Sequence, residues 1–244
     1  MRPDVAGVVR GADISDWKPV SFELGDREME ILLPPGAKTL GMREFPPLSR
    51  PKEEIRLSLE QPIGTPPLPQ ILKEKGKPAG TLTVCIATSD ITRPVPYKGE
   101  GGIFEPLLGI LHECGIRREH VTLLVGTGTH RPSTSEEKIE MFGKQAAEYR
   151  IIDHSCDDES MLTRIGCTRS GTEVHINRHF VEADVRIATG LVEAHFMAGV
   201  SAGRKAICPA LVSRKTIERF HSARFLSSPK ATNLVLEGNP CHEE

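Results

Sequence analysis

GTLTVCIATSDITRPVP, Gly80 to Pro96, decides the fold. TLTVCIAT is short, apolar and rich in β-branched residues, as expected of a buried strand, and it breaks into a polar, proline-stiffened cluster. The same pattern recurs downstream. VTLLVGT from Val121 runs into GTGTHRPST, Gly126 to Thr134, while YRIID (Tyr149 to Asp153) and DVRIATG (Asp184 to Gly190) are two further strand-like runs. Helices are expected between them, near Ile103 to Cys114 and near Ser133 to Gly143, the second capped by Ser133 or Ser135. A small β segment is expected around Thr172 to Ile176. Short apolar strands alternating with helices predict an α/β domain, a mostly parallel, Rossmann-like sheet flanked by helices. In such sheets ligands gather at the carboxyl ends of the strands.

Upstream of Gly80 the pattern weakens. EMEILLPP, Glu28 to Pro35, reads as one strand of an N-terminal β hairpin, and Met1 to Val20 shows no clear periodicity. Prolines are dense between Phe45 and Pro78, where only LPQILKEK, Leu68 to Lys75, looks helical. The expected organisation is an N-terminal extension over residues 1–27 and one α/β domain over 28–244. LEGNPCHEE, Leu236 to Glu244, carries neither a helix cap nor a closing strand, so a further domain is expected beyond it.

The chain of 244 residues is long enough for a sizeable core. With 31 basic and 33 acidic residues its net charge is −2, which gives no global electrostatic case for nucleic acid or an anionic membrane. No apolar run approaches the roughly 20 residues of a membrane span, and Met1 to Val20 is too polar for a secretory signal. A soluble, cytoplasmic protein is expected. The six cysteines, Cys85, Cys114, Cys156, Cys167, Cys208 and Cys241, show no CxxC pairing and read as reduced thiols.

Three clusters follow predicted strands. In SDITRPVP, Arg93 offers a planar fork suited to a carboxylate or phosphate, and Asp90 is placed to orient it, to bind a ribose hydroxyl, or to form a plain surface ion pair. In GTGTHRPST, a glycine-rich turn with Gly128 at its centre would present backbone N–H groups to an anion, with Thr127 and Thr129 adding hydroxyls. It is neither a P-loop nor GxGxxG. His130 within it reads as either structural or a general base. The third cluster is TGLVEAHFMAGVSAGRKAICPALVSRKTIERFH, Thr189 to His221, which sets His195 just past a strand end and two histidines about Lys205. Gly199, Ser201, Ala202 and Gly203 leave little bulk before that lysine, so a flat or phosphorylated ligand can approach the backbone. His112, His120, His154, His175, His179 and His242 lie in no comparable motif and read as surface or structural residues.

Together DITRPVP, GTGTHRP and GLVEAHFMAGVSAGRKAICPALVSRKTIERFH resemble the nickel-dependent lactate racemase family, over roughly Glu28 to Glu244 and in that family's N-terminal domain. The resemblance implies a nickel-pincer nucleotide, a pyridinium mononucleotide joined covalently to a lysine. It implies that Lys205 carries that link, that His221 completes nickel coordination, that His130 and His195 are the acid/base pair, and that Arg93 grips the substrate carboxylate. Asp90, Thr127, Gly128, Thr129, Ser201 and Gly203 would line the cofactor. Three residues depart from the family pattern: Ala202 in place of glycine, Ala194 in place of proline, and Ala210 in place of glycine.

The activity implied is racemisation or epimerisation of a small 2-hydroxy acid by transient hydride transfer, with cofactor-synthesis enzymes as partners and the family's C-terminal domain needed to close the cleft. Two alternatives stay open: a conventional metal-dependent hydrolase using His130, His195 and His221, and a non-catalytic nucleotide- or cofactor-binding module. Short zinc-ligand spacings such as HExxH are absent.

Overall fold

The computed structural model describes residues 13–25, 27–41 and 45–244. The chain divides into two compact units, one up to Pro47 and one from Leu48 to Glu244. In the first, β1 (Lys18–Leu24) and β2 (Arg27–Leu33) form an antiparallel hairpin, pairing Lys18 with Leu33 and Leu24 with Arg27. The expected hairpin is present. Its first strand, KPVSFEL, begins inside a stretch read as patternless and lies within the proposed 1–27 extension, although Val20, Phe22 and Leu24 do alternate. Residues 1–12 of that extension lie outside the described residues.

The second unit opens with α1 (Pro51–Glu60) and α2 (Leu68–Lys73). The second was expected; the first was not. PKEEIRLSLE forms a helix because its proline stands in the first turn, where no intrahelical N–H is required, and Glu53 and Glu54 complement the helix dipole there. Then follow β3 (Val84–Ser89), α3 (Phe104–Glu113), β4 (Val121–Gly126), α4 (Ser135–Phe142), α5 (Gln145–Glu148) and β5 (Arg150–Asp153). The chain crosses back through a hairpin of β6 (Leu162–Cys167) and β7 (Glu173–Asn177), then α6 (Arg178–Glu182), to reach β8 (Val185–Ala188). A two-residue hairpin of β9 (Ala194–His195) and β10 (Gly199–Val200) precedes α7 (Arg214–Phe220), α8 (Ala223–Leu226) and α9 (Pro240–Glu243). The last corrects the reading of LEGNPCHEE as uncapped: Asn239 caps α9, its Oδ1 accepting from the N–H groups of Cys241 and His242.

The four strands β5-β4-β3-β8 make one wholly parallel sheet. Alternation along the strands sorts its two faces. Val84, Ile86, Leu123 and Val125 join Leu72, Phe104, Leu111 and Phe142 in the main core, whereas Cys85, Ala87 and Leu124 meet Leu211 on the opposite face. Burial on both faces explains why the central strands β3 and β4 read as continuous apolar runs, while the edge strands β5 and β8 are partly exposed. The cap of α4 is Thr134, not a neighbouring serine. Its hydroxyl accepts from the Glu137 N–H while the Glu137 carboxylate accepts from the Thr134 N–H, a reciprocal capping box.

Candidate functional site

The strand order creates a switch point. The chain steps from β3 to β4 to β5 in one direction and then returns to place β8 on the other side of β3. Loops leaving β3 and β8 part there, opening a crevice at the carboxyl ends. A cleft of about 290 Å³ occupies it, lined by Asp90, Arg93, Thr127, Gly128, Thr129, His130, His195, Ser201, Lys205 and His221. Gly203 is the exception. It opens a 3-10 turn with φ +50° and faces a neighbouring, mostly apolar chamber of about 590 Å³. Tyr97 ties the end of β3 to the residue that follows β8: its hydroxyl accepts from the Ser89 N–H (2.6 Å) and meets Thr189 Oγ1 (3.1 Å), which donates to the Ala87 carbonyl (2.7 Å). That chain of contacts spans β3 and β8, and no local sequence signal marks Tyr97 for it.

Asp90 is buried. Its Oδ1 accepts from the Thr92 hydroxyl (2.6 Å) and N–H (3.2 Å), and its Oδ2 lies 2.5 Å from His130 Nδ1. It therefore does not steer Arg93, as one sequence reading had it. The Arg93 guanidinium donates only to the Thr92 carbonyl at 3.4 Å, and no carboxylate pairs with it among the described residues. Arg131, by contrast, is held in a two-pronged contact with Glu137. Of the two arginines near this edge, Arg93 is the one with its fork available.

The GTG turn differs from the expected anion cradle. The N–H groups of Thr127, Gly128 and His130 donate to the carbonyls of Val125, Ala210 and Thr127, and the Thr127 hydroxyl donates to the His154 carbonyl at 2.6 Å. The glycines serve close approach instead: a Cβ on Gly126 would stand 2.8 Å from the Ala210 methyl, and Gly128, at φ +56°, lies under the Pro209 carbonyl. Ser201 is likewise committed to backbone, donating to the Leu191 carbonyl and accepting from the Glu193 N–H.

Lys205 is half-buried, with its Nζ 5.9 Å from the centroid of the Phe220 ring and no carboxylate partner among the described residues. Burial pushes its pKa down, which favours the neutral, nucleophilic amine. His221 caps α7, and its Nδ1–H donates to the Ile217 carbonyl at 2.9 Å. That leaves Nε2 as the nitrogen for a metal, with the second ring nitrogen anchored as metal-binding histidines require. His195 Nδ1 accepts from the N–H groups of Met197 (3.3 Å) and Ala198 (3.2 Å), and its ring stacks on the exposed Phe196. Burial, and then the charges of Lys205, Arg93 and His221, push its pKa down to about 4. Among the described residues no three His, Cys, Asp or Glu side chains converge as a metal site, so His130, His195 and His221 share a cleft without forming the ligand set a hydrolase would need. An amine free to be acylated and a single anchored imidazole do fit a metal already carried by an organic ligand. His154, dismissed on sequence, is a buried strut: its Nε2 contacts the Val212 carbonyl and its Nδ1 the Asn177 side chain.

Residues 24–233 match the family model described as the lactate racemase N-terminal domain. The chain belongs to that family. It is 36% identical to a lactate racemase of Lactiplantibacillus plantarum over 79% of this chain and 43% of that protein. It is 34% identical to a lactate racemase of Thermoanaerobacterium thermosaccharolyticum over 92% of this chain and 50% of that protein. The solved structure of the lactate racemase apoprotein from the latter organism superposes with a TM-score of 0.75 at 31% identity, covering 92% of this chain and 51% of the other. A Thermotoga maritima protein shares the fold at TM-score 0.59 and 22% identity, over 80% and 46% of the two chains. The chain thus spans about half the length of the curated relatives it matches. Within the lactate racemase N-terminal domain family pattern, the departure at Ala210 is accommodated by the bare Cα of Gly126, and Ala202 sets its methyl against Gly190.

Proposed function

We propose that this chain forms the cofactor-bearing wall of a racemase or epimerase site for small 2-hydroxy acids, with a nickel-pincer nucleotide attached to Lys205. The observation that carries the reading is the pairing, in one cleft, of an uncompensated Lys205 amine with a His221 whose Nε2 is left free by the Ile217 contact. The chemistry such a group supplies when bound is acceptance of hydride from C2 and its return. This chain's own residues do the rest. Arg93 engages both carboxylate oxygens and fixes the acid end of the substrate, a task a point charge performs less well. His130 and His195, on two different loops that line the cleft, exchange the proton of the C2 hydroxyl, so that the oxygen can become a carbonyl and revert. With the carboxylate held, a planar 2-keto acid can turn about its C1–C2 bond and expose its other face.

The test is the intact mass and metal content of protein produced alongside the cofactor-synthesis enzymes. The expected result is one covalent adduct, mapped to Lys205, with one nickel per chain; Lys205→Ala abolishes attachment, and His221→Ala keeps the adduct but loses nickel. Unmodified Lys205 under conditions that load the Lactiplantibacillus plantarum lactate racemase overturns the reading.

A further inference from the structure

His130 and His195 each commit Nδ1 to the protein and leave Nε2 without a partner among the described residues, but the commitments are of opposite sign. Asp90 Oδ2, 2.5 Å from His130 Nδ1, is a carboxylate oxygen and accepts, so that nitrogen carries the proton. The Met197 and Ala198 groups facing His195 Nδ1 are backbone N–H donors, so there the nitrogen carries the lone pair. A neutral His130 therefore shows the cleft an acceptor at Nε2, and a neutral His195 shows it an N–H. Thr92 makes the first arrangement firm. Its hydroxyl and N–H both hold Asp90 Oδ1, which turns Oδ2 towards the imidazole, and the Arg93 N–H closes the same turn onto the Asp90 carbonyl at 3.1 Å.

We propose that Asp90, braced by Thr92, is a positioning residue that fixes His130 as the proton acceptor of the cleft, while the Met197–Ala198 turn fixes His195 as a hydrogen-bond donor. The two walls are unlike at rest. The inference takes from the proposed function only that the two imidazoles meet a substrate hydroxyl. In the step assigned to His130, the O–H bond breaks, its electron pair stays on oxygen, and the proton forms an N–H bond at Nε2; the resulting imidazolium is balanced by the Asp90 carboxylate. His195 donates a hydrogen bond to the oxygen of the opposite hand. It can take a proton at Nε2 only in its other tautomer, with its own proton on Nδ1, which would set that N–H against the N–H groups of Met197 and Ala198. Since two enantiomers interconvert with an equilibrium constant of one, kcat/KM is the same from either side, and the inequality must appear as different kcat and KM values for the two hands.

Ring tautomers can be read without cofactor or substrate, so failure of the nickel-nucleotide reading leaves the test intact. Long-range proton–nitrogen correlations are recorded on the full, unloaded chain with ¹⁵N-labelled histidine at about pH 8, above the ordinary histidine range. His130→Gln and His195→Gln assign the signals. The expected pattern is Nδ1–H for His130 and Nε2–H for His195. Asp90→Asn, whose amide can donate to Nδ1, is expected to shift His130 towards Nε2–H, and in the loaded enzyme to slow turnover by about 10²-fold or more. Thr92→Val keeps the carboxylate, removes only its hydroxyl brace, and is expected to give a mixture; it also serves if Asp90→Asn fails to fold. An Nε2–H form of His130 in the unaltered chain, an Nδ1–H form of His195, or an unchanged His130 pattern in both variants would overturn the proposal.

Discussion

Ala202 holds φ at +54°, a region that favours glycine, and sets its methyl where glycine at position 190 alone leaves room. A non-glycine residue held there is strained by about 1–3 kcal/mol, against the 0.4–1 kcal/mol that glycine loses by loosening the unfolded chain. Ala202→Gly is accordingly expected to stabilise the protein by about 1 kcal/mol, seen as a higher urea midpoint with an unchanged slope. Three histidines make stability depend on pH. His195, pushed down to about 4 from 6.5, and His154 and His179, both pushed down by burial, take up protons in the unfolded chain before they do so in the folded one. Their contribution is complete above about pH 6.5 and is lost as pH falls from there towards 4. Urea unfolding across that range should show stability declining with acid, and His154→Gln should flatten the slope; a flat profile in the unaltered chain would contradict the burial argument.

At the scale of elements, α4 depends on its first turn. Thr134→Ala removes one half of the capping box and is expected to cost about 1 kcal/mol, with faster amide exchange confined to α4. The central strands β3 and β4 were legible because burial on both faces selects apolar, β-branched runs, and the helices after them because of their apolar spacing. Less was legible where a local signal competes with a distant partner. The prolines around Pro51 hid α1, whose proline suits a helix start. Gly126 and Gly128 suggested backbone offered to an anion, but the Pro209–Ala210 segment, some eighty residues on by sequence number, claims that space. Thr92, two residues after Asp90, was within reach of the sequence, since Asp and Thr at that spacing form side-chain turns. The Tyr97 contact with Thr189 was not: 92 residues separate them.

At the scale of the molecule, pairing in the sheet follows no local pattern, and β8 beside β3 is what puts the three loops on one edge. The supports of the two imidazoles differ in kind. His130 follows β4, inside the parallel sheet and its main core. His195 rides on the β9–β10 ladder, which is two residues long, and the Met197–Ala198 turn beneath it sits in a separate cluster with Phe220, Phe225 and Cys241. Fully buried Asn239 ties that cluster shut, its amide donating to the carbonyls of Met197 and Val235. The cleft is thus a vice with one jaw cast into the bench and the other bolted on, with Asn239 and the Leu234 N–H that donates to the Gly199 carbonyl among the bolts. Asn239→Ala should slacken only the bolted jaw: amide exchange at Met197 and Ala198 is expected to quicken while β3 and β4 keep their protection. The two rings are then held with unequal stiffness, and the give in one of them is set by a segment, around Asn239, that does not itself line the cleft.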